Sequence, residues 1–193
     1  MSTMMTELDD LLARRIRRER EARGWSIATL AAKSGVSRAM ISKIERAEAS
    51  PTAALLGRLS GALGLTISAL LARAEGDAGG GRVSRAATQQ LWTDPGTGYR
   101  RRAISPPGAE PELVQVELPP GARIAYPAAS YRLLRGQVVW LETGALVIRE
   151  GEEETTLGPG DALAYDLTTP RDCEFHNPST TEDCRYVVTL SRR

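Results

Sequence analysis

The side chains able to do chemistry are scarce in some kinds and crowded in others. His176 is the single histidine, and Cys173 and Cys184 are the two cysteines. One imidazole and two thiols cannot build a three-histidine metal centre or a zinc finger, so no metal, cofactor or catalytic centre is expected. The cysteines fall on the last two predicted strands and read either as buried reduced thiols or as a redox pair. Basic side chains are crowded: residues 13–46 carry 10 of them against 3 acidic ones. That concentration suits a polyanion such as DNA, and equally the solvated face of a helix. A second set comprises Tyr126, Tyr131, Arg132, Gln137, Trp140, Tyr165, Arg171 and His176. At the mouth of a barrel these would suit a small anionic or aromatic ligand; the other reading is a core filled by side chains.

Stepping outward to the elements, the chain has 193 residues, 41% of them hydrophobic, and a mean hydropathy of −0.27. It reads as a soluble globular protein with no run near the ~20 apolar residues that span a bilayer, so no membrane partner is expected. Glu7, Asp9 and Asp10 precede a block of arginines with no signal-peptide core, which points to the cytoplasm and to reduced cysteines. Four glycines between residues 76 and 81 mark a linker. The expected division is 1–74, a linker at 75–81, and 82–193. Residues 1–75 carry a net charge of +4 and residues 76–193 a net charge of −3.

The first part reads as five short helices. Thr6 and Asp9 suggest a capping box, with Leu8, Leu12 and Ile16 on one face and an end near Gly24. Ser26 caps a helix over Ile27 to Lys33, and Ser37 caps one from Arg38 to about Ala47. Ser50-Pro51-Thr52 opens a fourth, stopped at Gly64, and Thr66 caps a fifth through Leu71. Gly35 makes the tight connection of a helix-turn-helix, with Val36 and Ile41 packing back on Leu30 and Ala31.

The run Ile16-Arg17-Arg18, Arg23-Gly24-Trp25-Ser26, Leu30-Ala31, Ser34-Gly35-Val36-Ser37, Ile41-Ser42-Lys43-Ile44-Glu45-Arg46 and Ser50-Pro51 resembles the phage-repressor-like, Xre-type helix-turn-helix family over about residues 12–71. The resemblance implies a third helix in the major groove, presenting Ser37, Arg38, Ala39, Ser42 and Lys43. Arg38 would read a guanine bidentately. Ser37 either contacts a base or serves as the helix cap. Ile27 stands where the family often has a phosphate-binding glutamine, which leaves Ser26 and the amides behind it for phosphate. The resemblance also pairs Arg20 with Glu45, fixing a helix angle. Glu19 stands where the family has an apolar residue, and the sequence offers no reason for it.

The second part holds short strands near 82–88, 98–104, 112–118, 121–126, 136–142, 145–150, 153–157, 161–166, 172–177 and 184–190, an all-β jelly-roll or barrel pattern. Leu118-Pro119-Pro120-Gly121, Val139-Trp140-Leu141-Glu142-Thr143-Gly144-Ala145-Leu146 and Leu157-Gly158-Pro159-Gly160-Asp161-Ala162, followed by Pro170 and Asn177, resemble the cupin family. Catalytic cupins hold a metal through a His-x-His pair, a glutamate and a later histidine. The corresponding places hold Ser130-Tyr131-Arg132-Leu133, Gln137 and Arg171.

The fold class implied is an all-α five-helix helix-turn-helix domain followed by an all-β cupin-like jelly-roll barrel. The function implied is a non-enzymatic, DNA-binding transcriptional regulator. Its barrel would join two copies into a homodimer on a double-stranded operator and would sense a small-molecule effector. A cupin enzyme, an isomerase or dioxygenase carrying a DNA-binding head, is the alternative, and an antitoxin-like regulator ranks last because no toxin-wrapping tail is evident.

Overall fold

The computed structural model describes residues 7–74 and 82–192. The expected cap at Thr6 and the glycine linker at 75–81 lie outside the described residues. The helices are α1 (Glu7–Glu21), α2 (Ile27–Ser34), α3 (Arg38–Glu45), α4 (Ala53–Ala62) and α5 (Ile67–Ala74). Their starts follow the capping logic. The hydroxyls of Ser26, Ser37 and Thr52 accept from the amides of Thr29, Met40 and Leu55, and Thr66 accepts from Ala69 at 3.0 Å. α3 stops at Glu45, short of the expected Ala47, and α5 runs past Leu71 to Ala74. Gly35 takes the left-handed conformation, φ 67°, that lets the chain turn from α2 into α3. Ser34 locks this turn, donating to the Leu30 carbonyl at 2.7 Å and accepting from the Val36 amide at 3.3 Å. Leu12, Ile16, Leu30, Val36, Ile41, Ile44, Leu56, Leu59 and Leu70 are buried between the helices.

Ten strands follow: β1 (Leu91–Thr93), β2 (Arg100–Ala103), β3 (Glu112–Leu118), β4 (Arg123–Tyr126), β5 (Leu134–Thr143), β6 (Leu146–Glu150), β7 (Glu153–Leu157), β8 (Ala162–Ala164), β9 (Cys173–His176) and β10 (Cys184–Arg192). They form a six-stranded sheet, β1-β2-β3-β10-β5-β8, and a four-stranded sheet, β4-β9-β6-β7. The architecture is cupin-like, built as two facing sheets rather than one closed barrel. The strand expected at 82–88 is absent; Ala86–Thr88 form a 3-10 turn, and the pairing is supplied instead by Leu91–Thr93. Residues 82–88 contain Arg82, Arg85 and no period-two apolar face to bury, so nothing holds them against β2.

Alternation fills the space between the sheets. Val188 on β10 lies between Val114 and Val139, and Tyr186 between Val116 and Leu141. On the facing sheet Phe175 lies between Ile124 and Ile148. The Phe175 and Tyr186 rings stack across the gap at 5.7 Å, and Tyr165 and Tyr131 continue the stack outward at 6.5 and 6.1 Å. Asn177, fully buried, ties the end of β9 to the neighbouring chain: its amide donates to the carbonyls of Leu118 and Glu182 at 2.9 and 2.8 Å.

The helices pack on the open end between the sheets. α4 lies on β4 and on the 3-10 turn Ala128–Tyr131. Gly57 makes the approach close: a Cβ there would sit 2.7 Å from the Tyr126 ring. The Ser130 hydroxyl donates to the Gly57 carbonyl at 3.3 Å. On α5, Ser68 accepts from the Arg101 guanidinium of β2. Helical and β residues are continuous in one buried cluster.

Glu19, unexplained by sequence, has a structural reason. It is 6% exposed and gathers Arg15 (2.6 Å) and Arg23 (2.6 Å) from its own helical segment with Arg73 (3.0 Å) from α5. Burial acts to raise its pKa, but hydrogen bonds from Arg23, Arg73 and Arg15 overcome that and hold it at about 2. An apolar residue there would leave Arg23 and Arg73 without this shared anion.

Two predictions follow from these contacts. A glutamate depressed below its ordinary value of about 4.3 stabilises the fold fully above that pH, and the contribution is lost as pH falls toward 2. It amounts to on the order of 3 kcal/mol at neutral pH. Glu19→Gln should be less stable at pH 7, and urea titrations should show the gap closing between pH 5 and pH 2; a pH-independent gap would exclude this account. A glycine-to-alanine change inside a helix ordinarily gains about 1 kcal/mol. Gly57→Ala should instead lower the melting temperature and enlarge the radius of gyration in small-angle scattering, because the methyl meets the Tyr126 ring. A raised melting temperature at unchanged radius would show that the ring simply moves aside.

Candidate functional site

Two places gather functional side chains: the outward end of α3, and a cavity where α4 and α5 meet the sheets. At the first, Ser37, Arg38, Ala39 and Lys43 are exposed. The Ser37 hydroxyl serves as helix cap, accepting from Met40 at 3.2 Å. Ser42 is half-buried and accepts from the Arg46 guanidinium, which leaves it less free than its neighbours. Arg38 makes no hydrogen bond or ion pair with other described residues. Ser26 at the start of α2 is exposed, and its hydroxyl accepts from the Thr29 amide at 3.0 Å. Ile27 packs partly against the core.

The angle of α3 is set from behind. Arg20 of α1 donates from Nε and Nη2 to the two carboxylate oxygens of Glu45, both at 2.7 Å, and from Nη1 to the Trp25 carbonyl at 2.8 Å. A bidentate pair of this kind fixes direction as well as distance. It joins the first helix, the loop before the second and the end of the third.

The cavity holds about 70 Å³ and is lined by Tyr126, Tyr131 and Gln137 of the expected set. The others lie elsewhere, Trp140 and His176 through strand parity and Arg132, Tyr165 and Arg171 because they sit in turns and loops outside the strands. Tyr165 stacks behind Tyr131, with its hydroxyl 3.3 Å from Cys173 Sγ. Arg132 lies in an open groove with Lys33 and Arg58. Trp140, one step out of phase with the inward Val139 and Leu141, is 43% exposed on the outer face. Arg171 is exposed, 3.4 Å from Glu153. His176 follows the inward Phe175 and so faces outward, beside Arg123 and Glu174; burial, then Arg123, pushes its pKa down.

Residues that sequence reading missed complete the cavity: Arg101, Phe175 and Tyr186 from the strands, Tyr99 just before β2, Ser60 and Ile67 from the helices, and Thr66 at the cap of α5. Arg101 is the middle of three consecutive arginines. Alternation on β2 buries it to 8% exposure while Arg100 faces out. That parity was the available signal, obscured because three arginines together read as a surface. Burial pushes the phenols of Tyr126, Tyr131 and Tyr186 well above their ordinary value, keeping them neutral donors.

The positions that carry metal ligands in catalytic cupins do not fit a metal here. Gln137 faces the cavity as an amide, and Tyr131 and Arg132 stand in place of the histidine pair. Among the described residues no group of three or more His, Cys, Asp or Glu side chains is placed to hold an ion. Cys173 and Cys184 are buried and unpaired. They have different surroundings: Cys173 lies beside Tyr165, and Cys184 lies under the turn at Gly144. Burial pushes their thiols up to about 11 and about 12, so almost no thiolate is present at neutral pH. Among the described residues no single helix is long and apolar enough to cross a membrane.

Comparison with known proteins identifies the helical part. Residues 16–70 match the HTH_3 family, described as helix-turn-helix. The HTH-type transcriptional regulator SutR of Escherichia coli (strain K12) is 39% identical over 67 residues, which cover 35% of this chain and 38% of that relative. An HTH_3 family transcriptional regulator from Vibrio cholerae, known from its crystal structure, superposes with a TM-score of 0.76. It covers 96% of this chain and 97% of its own at 17% identity, a likeness of fold across both parts. An RmlC-like cupin from Shewanella frigidimarina NCIMB 400 covers 58% of this chain and 92% of its own, with 18% identity and a TM-score of 0.45. Residues 16–70 are thus a helix-turn-helix domain of the HTH_3, Xre-like family, followed in this chain by a cupin-like pair of sheets.

Proposed function

We propose that the protein is a cytoplasmic transcriptional regulator that binds a double-stranded operator as a homodimer and responds to a small-molecule effector. Residues 1–74 would read DNA, 75–81 would join the parts, and residues 82–193 would dimerise and sense without catalysing a reaction. The observation that carries the reading is the outward end of α3 on an HTH_3 domain. Arg38 and Lys43 stand exposed there, and the Arg20–Glu45 pair holds the helix from behind.

Arg38 would pair with guanine O6 and N7, with Ser37 and Ala39 flanking it, Lys43 one turn later and Ser26 on a phosphate. Ser42, tied to Arg46, contributes less. With operator sites obtained by genome-wide mapping, Arg38→Ala should weaken binding by about 1–3 kcal/mol and relax base preference at one position. Equal weakening on every sequence would make Arg38 a phosphate contact instead.

A single domain of this type covers half an operator, so tight reading calls for a second copy. The outer face of the six-stranded sheet supports that assignment. Trp140 pairs with Val187, and Val138 and Leu113 share the outward face of the same sheet. Trp140→Lys should shift the protein from dimer to monomer in sedimentation velocity and sharply reduce operator affinity. A dimer undisturbed by the change would place the contact on another surface.

A further inference from the structure

The cavity beneath α4 and α5 contains a buried cation without a carboxylate at ion-pair distance and two phenols without a hydrogen-bond partner. Arg101 is nine-tenths buried, and a guanidinium carries five N–H donors that stay charged in proteins. One nitrogen donates to Ser68 of α5. Among the described residues no carboxylate comes within ion-pair distance of Arg101. Glu112, the acid that acts on it electrostatically, gives one oxygen to Arg192 at 2.9 Å and keeps the other buried without a hydrogen-bond partner, neither reaching Arg101. Facing the same cavity, the hydroxyls of Tyr126 and Tyr131 are buried without a hydrogen-bond partner. Buried polar groups are ordinarily paired, and a buried cation ordinarily has a counter-charge. The remaining wall mixes apolar side chains, among them Val116, Phe175 and Val188, with the polar Ser60, Thr66, Tyr99 and Gln137.

We infer that this cavity is a binding site for a short-chain carboxylic acid, with the carboxylate on Arg101 and the tyrosine hydroxyls and the hydrocarbon end against those apolar side chains. A planar carboxylate matches the guanidinium fork, and two phenolic O–H groups add donors on the other side. The cavity is small, about 70 Å³, and so suits a short tail rather than a long acyl chain. Val116, Phe175 and Val188 give a hydrocarbon tail a surface that a fully hydrated inorganic oxyanion cannot use.

Position gives the site its consequence. Ser60, Thr66 and Ile67 roof it from the helical half, and Ser68 already holds the anchoring arginine. The cavity is complete only while the helices are docked on the sheets, so a ligand favours the docked arrangement over any other. If DNA prefers one arrangement of the reading heads, acid and operator change each other's affinity by the same factor. This last step rests on the DNA-reading role proposed above; the binding of the acid does not.

The test uses the full-length protein with butyrate as probe, acetate and hexanoate as size controls, and inorganic phosphate as the alternative oxyanion. Calorimetry should show one site per chain for butyrate, with weaker binding of hexanoate and none of phosphate. Arg101→Gln should weaken butyrate at least 100-fold. The double variant Tyr126→Phe with Tyr131→Phe should weaken it about tenfold while melting no lower than the parent, because it removes two unpaired hydroxyls. That pair keeps the test valid should Arg101→Gln fail to fold. Intact operator binding with no butyrate binding at millimolar concentration would overturn the inference and leave the regulator reading standing. Phosphate binding in place of butyrate would overturn it equally. Butyrate binding by a protein that recognises no operator would uphold the site and sink the regulator reading.

Discussion

A helix backbone can lie against a tyrosine ring as closely as α4 lies against Tyr126 only where the helix has no side chain. Gly57 supplies that place, with a would-be Cβ 2.7 Å from the ring, and Gly61 one turn on comes near the backbone of Ala129 and Ser130. Much follows from this contact. It sets α4 on the open end of the two sheets, brings α5 over β2 so that Ser68 meets Arg101, and roofs the cavity with Ser60, Thr66 and Ile67. Because α4 takes the load, the outward end of α3 stays exposed. One steric permission thus creates an enclosed site and keeps a reading surface open.

Buried charge is handled in two opposite ways in the same molecule. In the helical half every deeply placed charge is met. Glu19 gathers three arginines, and Arg20 spends its donors on both oxygens of Glu45 and on the Trp25 carbonyl. Such networks constrain geometry, because each partner is satisfied at only one arrangement of the helices. At the junction with the sheets, Arg101 has a hydroxyl and no carboxylate at ion-pair distance. A fold that compensates its charges this thoroughly in one place and not in another marks the second as the place where something else arrives.

Much of this was legible in the sequence, and the limits fall where one chain segment must know about another. Ser26, Ser37, Thr52 and Thr66 announced four helix starts, because a cap is a local hydrogen bond. Nine strands were placed near their true positions by turn residues and short apolar runs. The strand at 82–88 and the missed β1 show the weakness of that signal at a sheet edge, where one neighbour decides pairing. The pocket set failed in a different way. Residue type selects its members, whereas parity decides which face a strand residue occupies, so Trp140 and His176 face outward and Arg101 faces in, and Arg171 lies in the loop before β9. The register shift at Ser191 and Arg192 adds to this on β5, where Leu134 and Gln137, three residues apart, are both buried. The helical wall of the cavity had no sequence signal as a wall, since Ser60 reads as an ordinary helix residue and Thr66 only as a helix cap until α4 is docked.

Strands β5 and β10 carry the inside and the outside of the sheet at once. Gln137, Tyr186, Val188 and Leu190 face the cavity, while Val138, Trp140 and Val187 of the same strands face away. Ten residues of one strand against nine of the other, hydrogen-bonded along most of their length, move as a unit. Close packing gives such a unit little room to absorb a change on one face without passing it to the other. A molecule that fills the cavity therefore acts on the sheet that bears Trp140 as well as on the helices that roof it. The two routes, through Ser68 into α5 and through β5 and β10 to the outer face, start from the same few side chains.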